Sequence, residues 1–420
     1  MGLHSAFPAR LLVLVAVTLA APSVAVAGPV SAGVARETFI LPPGVPLAGY
    51  SRRHGKPSTG MHDPLGVRAL VLADGDTTVA LVSCDLLIID DTLFETARTR
   101  LRMQGLPPDL VLLMAATHTH SGPGAYGRRF FEKLSMGHFD ARVFEAIVDA
   151  VGRAVARAWQ SRAEVRLASA SGLTEGLVQN RVQEGGPVDA EVAVTGVYPA
   201  GGEAPLAVLL SFAAHPTTLG AWNMELSGDY PAAAVREIER RIPSATAIFF
   251  AGDVGDQAPV KSGDRFERPE RIGRAVADRA VALVQGLRPE PVSEVSARQE
   301  RMRLPPGQLR LGRLTVPRWL SGRLVDDDAT LSVVTAGSTV IFGAPCDVAS
   351  GLGVRLKEAA RARRLQPQVV SFACDYIGYC VPEPLYREKQ YESSMAFNGP
   401  RAGDMVVERL MQLLDEAIQR

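Results

Sequence analysis

The sequence predicts an α/β fold, a mixed β-sheet core with flanking helices, on three observations. Five apolar runs, Leu110 to Ala116, Ala207 to Ala213, Ala245 to Ala251, Ser338 to Ala344 and Gln368 to Ala373, read as strands buried on both faces. Amphipathic helical patterns lie between and after them. Each run stops directly before polar or Gly-rich residues: His118 and His120; His215; Gly252-Asp253; Pro345-Cys346-Asp347; and Asp375 to Tyr379. Open α/β sheets place their sites beyond the carboxyl ends of strands. The five clusters therefore point to one cleft.

In chain order, residues 1–27 read as a secretory signal. Arg10 supplies positive charge, Leu11 to Ala21 form a short apolar core, and Ala25-Val26-Ala27 is an AxA-type cleavage site. The expectation is an exported chain beginning near Gly28. Residues 28–66 are rich in Gly and Pro and are expected to wrap the surface. Val67 to Leu72 and Thr78 to Ser83 flank Asp74-Gly75, a hairpin signal. Thr92 to Gln104 reads as a helix opened by a Thr92/Glu95 capping box. Three more helices follow from Phe144 to Val155, Ile272 to Leu283 and Val406 to Ile418. No repeat or Pro/Ser linker divides the chain, and its length suits one large domain or two.

Bulk properties narrow the function. A hydrophobic fraction of 47% with 21% charged residues describes an ordinary globular core. The net charge of +0 carries no polyanion-binding signature, which argues against nucleic acid as a partner. The four cysteines contain no CxxC pair, so a structural zinc knot is not expected. Cys374 and Cys380 are near enough in sequence to pair, although spacing does not decide connectivity.

The chemistry centres on AATHTHSGPG, residues 115–124. Residues two apart on extended chain point the same way, so His118 and His120 can face one cavity. Converging neutral imidazoles suit Zn²⁺; the plainer reading is a pair of surface loop histidines. His215 is a third-ligand candidate or a structural histidine. Asp347 is an oxygen ligand or the N-cap of the helix after it. Tyr376, Tyr379, Tyr386 and Tyr391 crowd together, either for packing or to supply a phenolic ligand or an oxyanion donor. Arg181, in QNRV, can fix a substrate oxygen or sit solvated. Gly252 to Pro259 forms a tight loop able to bring backbone N–H groups to a ligand, and Asp229, in SGDYP, reads as structural.

Taken in order, ILPPGVPLAGY, HDPLGVRALVL, SCDLLII, THTHSGPG, QNR, FAAHPTTLG, SGDYP, GDQAP, GAPCD and YIGYCVPEPLYREKQYE resemble the neutral/alkaline, non-lysosomal ceramidase family. These are zinc amidohydrolases that split the amide of ceramide. The resemblance runs from about residue 40 to residue 400 and implies a single large catalytic domain, 28–420, of that type. It implies zinc ligation by His118 and His215, with Asp347 where the family has glutamate, and with Tyr379 at the metal. It implies that His120 is catalytic without binding the metal, that Tyr391 hydrogen-bonds the substrate carbonyl, and that Arg181 lies at the site. Gly255, Asp256 and Ala258 match a substrate loop in which the family carries serine at the last position. Alanine there excludes that serine as nucleophile and favours zinc-bound water. Full-length members add a C-terminal β-sandwich, so the expectation here is a short form.

The expected protein is a secreted or periplasmic, Zn²⁺-dependent hydrolase of the amide of an N-acyl (sphingo)lipid, in peripheral contact with a membrane. Two rivals stand beside it. A TIM-barrel metal hydrolase also uses HxH at a strand end but needs eight regular βα units. A lipid-binding relic would account for Ala258.

Overall fold

The main sheet is built from β1 (Ser31–Thr38), β2 (Gly66–Ala73), β3 (Thr78–Cys84), β4 (Val111–Ala116), β5 (Ala163–Leu173), β6 (Glu191–Pro199), β7 (Ala207–Phe212) and β8 (Thr246–Ala251). Their spatial order is β8-β7-β6-β5-β1-β2-β3-β4, with the short strand Glu290–Pro291 beside β5. A second sheet holds β9 (Val295–Arg303), β10 (Asp328–Ala336), β11 (Thr339–Gly343) and β12 (Gln366–Val370), in that order. The computed structural model describes residues 28–311, 314–317, 321, 325–388 and 390–419. The signal expected over residues 1–27 lies outside them. The architecture is the expected mixed α/β core, and its open order replaces the barrel alternative.

Within these two sheets three strand pairs are parallel: β3 with β4, β7 with β8, and β11 with β12. A parallel pair needs a crossover. Helices α1 (Asp91–Met103), α3 (Asp229–Arg241) and α5 (Ser350–Ala362) supply these crossovers. Helices α2 (Ala141–Gln160), α4 (Glu267–Gly286) and α6 (Ala402–Ile418) complete the layers. Alternation along β10 explains the stacking. Val334 and Ala336 face a core shared with Leu70, Leu72, Leu81 and Leu209 of the main sheet. Leu331 and Val333 face Leu352 and Leu356 of α5 and Leu410 and Leu414 of α6. Helix α2 covers β1 and β2, α3 covers β8, and α4 covers β5 and β6. The result is helix, sheet, sheet, helix. Among the described residues no helix is long and apolar enough to cross a membrane.

Several local expectations change. Residues 28–66 do not simply wrap the surface, because β1 sits between β5 and β2. Its last residues are charged and paired, with Arg36 bonded to Glu239 and Glu37 to Arg153, so no apolar run announces a central strand. Helix α1 is capped by Asp90, whose Oδ1 accepts Leu93 N–H at 2.6 Å. Thr92 lies inside the helix, and Glu95 pairs with Arg98 instead of closing a capping box. All four cysteines are buried and free, so Cys374 and Cys380 are not joined. The Asp74-Gly75 hairpin forms as expected: Asp74 Oδ1 accepts Asp76 N–H and Thr77 N–H, and Gly75 takes φ +102°.

A buried charge cluster ties α5 to the sheet edge. Lys357 Nζ bonds Asp189 and lies 3.2 Å from Asp253 Oδ1 and 3.7 Å from Glu191 Oε1. Burial opposes the ammonium, but the surrounding carboxylates, Asp253 first, outweigh it and hold it charged. Replacing Lys357 with Met strands buried carboxylates, and calorimetry should show a loss of about 3–5 kcal/mol. Adding Asp189→Asn and Asp253→Asn should recover most of that loss.

Candidate metal centre and active site

Strand β4 ends at Ala116, and the chain then breaks sharply. His118 has φ +63°, in the left-handed region. The two histidines of HxH therefore converge through a backbone kink rather than through the pleat of an extended strand. The His118 ring stacks on Phe372, with centroids 3.8 Å apart and planes 4° apart. Its Nδ1 lies 2.6 Å from Leu87 O. His215, beyond β7, has Nδ1 3.2 Å from Val254 O. A carbonyl can only accept, so both Nδ1 atoms carry the proton and both Nε2 atoms present lone pairs. Those Nε2 atoms face each other at 2.8 Å, and His120 Nε2 lies 3.2 Å from His118 Nε2. Burial lowers the His118 pKa to about 3 and pushes His120 and His215 well below the usual value. The three histidines form a buried group of the kind that can hold a metal ion.

Asp347 enters the same space from beyond β11. It is fully buried, and its Oδ1 stands 3.8 Å from His118 Nε2 and 3.9 Å from His215 Nε2. That oxygen has no hydrogen-bond partner, while Oδ2 accepts the Tyr376 hydroxyl at 2.9 Å. Asp347 is not a helix cap: α5 begins at Ser350, with Ala349 at the N-cap and no side-chain cap bond. An unpartnered buried carboxylate oxygen beside two imidazole lone pairs is a donor set without an electrophile, and a divalent cation fits it.

Around this set, Arg181 Nη2 donates to Tyr379 Oη and to Gly255 O, both at 2.8 Å, and Arg181 Nε lies 2.9 Å from Glu392 Oε1. Arg181 is therefore anchored, not solvated. Tyr391 stacks edge-on to Tyr379 at 5.9 Å and is 61% exposed, on the rim. Tyr386 is buried with Leu385 and Val381. The Gly252 to Pro259 loop does not offer Gly255 N–H to a ligand, because Val348 O accepts it at 2.8 Å. Gly255 allows close packing instead: a Cβ there would come within 2.9 Å of Asp347 O. Asp256 accepts Ser350 N–H and the Ser350 hydroxyl, and Ala258 pairs with Gln179 in a short ladder. Asp229 is structural, as expected, accepting Thr218 Oγ1, Leu219 N–H and Tyr230 N–H.

The sequence offers Tyr376 only as one of four crowded tyrosines and gives Glu392 no role. The tyrosine crowding pointed to the first; the second carried no signal beyond its place after Tyr391.

A cavity of 180 Å³ opens onto this group. His118, His120, Tyr376, Tyr379 and Tyr391 line it, with apolar side chains such as Ile88 and Phe397. A larger cavity of 570 Å³ lies on the helix-covered face of the main sheet. Its charges are already paired, Arg68 with Glu239 and Arg236 with Asp63, so chemistry rather than size marks the smaller one as the site.

Residues 42–270 match the model of the neutral/alkaline non-lysosomal ceramidase family, N-terminal region. The chain belongs to that family. His118, His120, Arg181, His215 and Ala258 fall inside the match; Asp347, Tyr379 and Tyr391 lie beyond it. A neutral ceramidase of Pseudomonas aeruginosa is 27% identical over 325 residues, which is 70% of this chain and 48% of that protein. One of Mycobacterium tuberculosis is 27% identical over 278 residues, 58% of this chain and 44% of that protein. The chain thus spans about half the length of these curated relatives. The crystal structure of the Pseudomonas aeruginosa neutral ceramidase superposes with a TM-score of 0.79 at 21% identity, covering 92% of this chain and 74% of that one. A ceramidase complexed with C2 gives 0.81 at 20% identity, covering 92% and 75%. At that identity the superpositions speak for the fold.

Burial pushes the Asp347 carboxyl up to about 7, against the pull of Arg181 and two tyrosine hydroxyls. Between the unfolded value of 3.8 and about 7 the metal-free folded chain binds more protons than the unfolded one, so this group makes stability fall as pH rises through that window. Asp347→Asn removes that cost. In chelator-treated protein its melting temperature should exceed that of the unaltered chain at about pH 8, with a smaller gain at about pH 5. Its metal affinity should fall at least about tenfold; unchanged affinity would take Asp347 out of the ligand set.

Proposed function

We propose that this protein is an exported, zinc-dependent amidohydrolase that cleaves the amide of an N-acyl lipid. The observation that carries the reading is the pair of buried Nε2 lone pairs at 2.8 Å beside the unpartnered Asp347 oxygen. His118, His215 and Asp347 would hold the ion, with Tyr379 next to the carboxylate. When bound, zinc supplies Lewis acidity, polarising a carbonyl and acidifying water.

The rest is the work of this chain's own groups. His120 lines the cavity, so it is placed to move a proton between water and the leaving amine. Its ring is held from behind, since a Cβ at Gly49 would come within 2.6 Å of its Nδ1. Tyr391 stands on the rim, where its hydroxyl can donate to the substrate carbonyl as charge develops on oxygen. Arg181, braced by Glu392, fixes the Tyr379 phenol. Ala258 offers no nucleophile, and Ser135 in the lining donates its hydroxyl to Glu132 O, which supports water as the attacking group. Family membership supports a ceramide-like substrate, and the pattern of residues 1–27 supports export. N-terminal sequencing of the mature protein should begin at or near Gly28.

Purified protein should hold about one zinc per chain, and His118→Ala should lose both zinc and hydrolysis of N-acyl substrates. Full activity after chelation would sink the reading, and a protein that holds no metal would favour a lipid-binding relic. His120→Ala should retain zinc and lose roughly 10² or more in kcat. Loss of zinc in that variant would instead make the three histidines the ligand set. Ala258→Ser should change the rate little, with no acyl-enzyme accumulating.

A further inference from the structure

His120 differs from the two other histidines in how it is held. Carbonyl oxygens fix Nδ1 of His118 and of His215. His120 Nδ1 is buried and makes no hydrogen bond. Its aim therefore depends on packing. The Gly49 backbone lies so close that no Cβ would fit between them, and Gly49 N–H is itself tied to Ser135 O. The Tyr50 ring packs on the imidazole as well, with centroids 4.9 Å apart. Both contacts come from one short segment, so whatever fixes that segment also aims the ring.

Arg53 fixes it. The residue is 3% exposed. Its Nη1 donates to Ala48 O at 2.8 Å and to His120 O at 2.5 Å, and its Nη2 donates to Gly220 O at 3.2 Å. The guanidinium lies over the Tyr50 ring, 4.9 Å from its centroid, and the Tyr50 hydroxyl donates to Leu219 O at 3.2 Å. No carboxylate offsets the charge: burial pulls the Arg53 pKa down to about 10, and Tyr50 alone works against that. The group is still a cation at neutral pH. Burying a cation against carbonyls alone is costly. A planar fork of donors is what reaches carbonyls on separate segments at once, and lysine has none.

We propose that Arg53 is the positioning residue of His120: it binds the Gly49–Tyr50 cradle, the His120 backbone and the loop after His215 into one unit that holds the imidazole toward the cavity. The inference rests on the amidohydrolase reading, in which His120 moves the proton, and adds to it the group that aims that histidine. Arg53 does not line the cavity, so it acts through His120 and not on substrate. The effect is large because a misplacement of about 1 Å in a reacting group can cost roughly 10² in rate.

The test is a double-mutant cycle on zinc-loaded full chain, with kcat read per folded, zinc-bearing molecule. Arg53→Lys keeps the charge and loses the fork. It should retain zinc, leave KM within about threefold and lower kcat at least about tenfold. In the His120→Ala background the same change should lower kcat by less than about twofold, because the group it aims is gone. Equal losses in both backgrounds make Arg53 a structural tie only; they overturn the inference and leave the amidohydrolase reading standing. Unchanged kcat does the same. So does loss of zinc in Arg53→Lys, which would mean that Arg53 serves the loop of His215 instead. If Arg53→Lys does not fold, Tyr50→Leu takes its place, since it removes the ring that joins Arg53 to the imidazole. It should cost at least about fivefold in kcat with His120 present and less than about twofold without it; equal losses again overturn the inference. No hydrolysis by the unaltered zinc-loaded chain, or no loss of kcat in His120→Ala, overturns both.

Discussion

Two imidazole nitrogens that both carry lone pairs, held 2.8 Å apart and out of water, repel each other. The structure holds them there nonetheless. Leu87 O and Val254 O fix both tautomers from behind, Phe372 clamps one ring, and burial keeps the rings neutral. Asp347 adds a third buried donor with no acidic hydrogen facing it. An electropositive centre resolves the whole arrangement at once, and each neighbouring feature can be read as support for it. Tyr376 satisfies the outer carboxylate oxygen, Arg181 holds the Tyr379 phenol, and Glu392 braces Arg181.

Topology delivers these groups. A parallel strand pair ends both members at one sheet edge, and the crossover helix leaves from that edge and returns to the other. Three such units, β3-α1-β4, β7-α3-β8 and β11-α5-β12, are split across two sheets packed face to face. The first contributes His118 and His120, the second His215, and the third Asp347 and the Tyr376 segment. The contact between sheets is therefore part of the site: without it the carboxylate would not reach the histidines. Gly255 records how close that meeting is, since even a methyl group there would strike the backbone of Asp347.

Much of this was legible in one dimension. The strands that end at the site are buried on both faces, so they read as apolar runs, and the polar residue after each run was visible as a break. The strands between them were harder. β1 ends in the charged residues Arg36 and Glu37, and β9 is polar along much of its length, with Arg298, Glu300 and Arg301. Half-covered strands lack the unbroken run that betrays a central one. The helix is capped at Asp90, two residues before the Thr92 cap that the sequence predicts, because Thr92 and Glu95 mimic a capping box. Asp90 takes the Leu93 N–H first.

The sequence by itself determined the α/β class, the strand ends that bear chemistry and the residue types able to ligate or move protons. These depend on local composition and on the periodicity of burial, which one chain displays directly. Tertiary structure alone decided which of those residues meet. The left-handed break at His118, the choice of tautomer by Leu87 O and Val254 O, and the unpartnered oxygen of Asp347 arise from contacts between segments 31 to 229 residues apart. The same holds for Arg53, which meets the carbonyls of His120 and Gly220 across 67 and 167 residues. No local pattern encodes such distances, because burial and hydrogen bonding at each atom are set by the neighbours that packing brings to it.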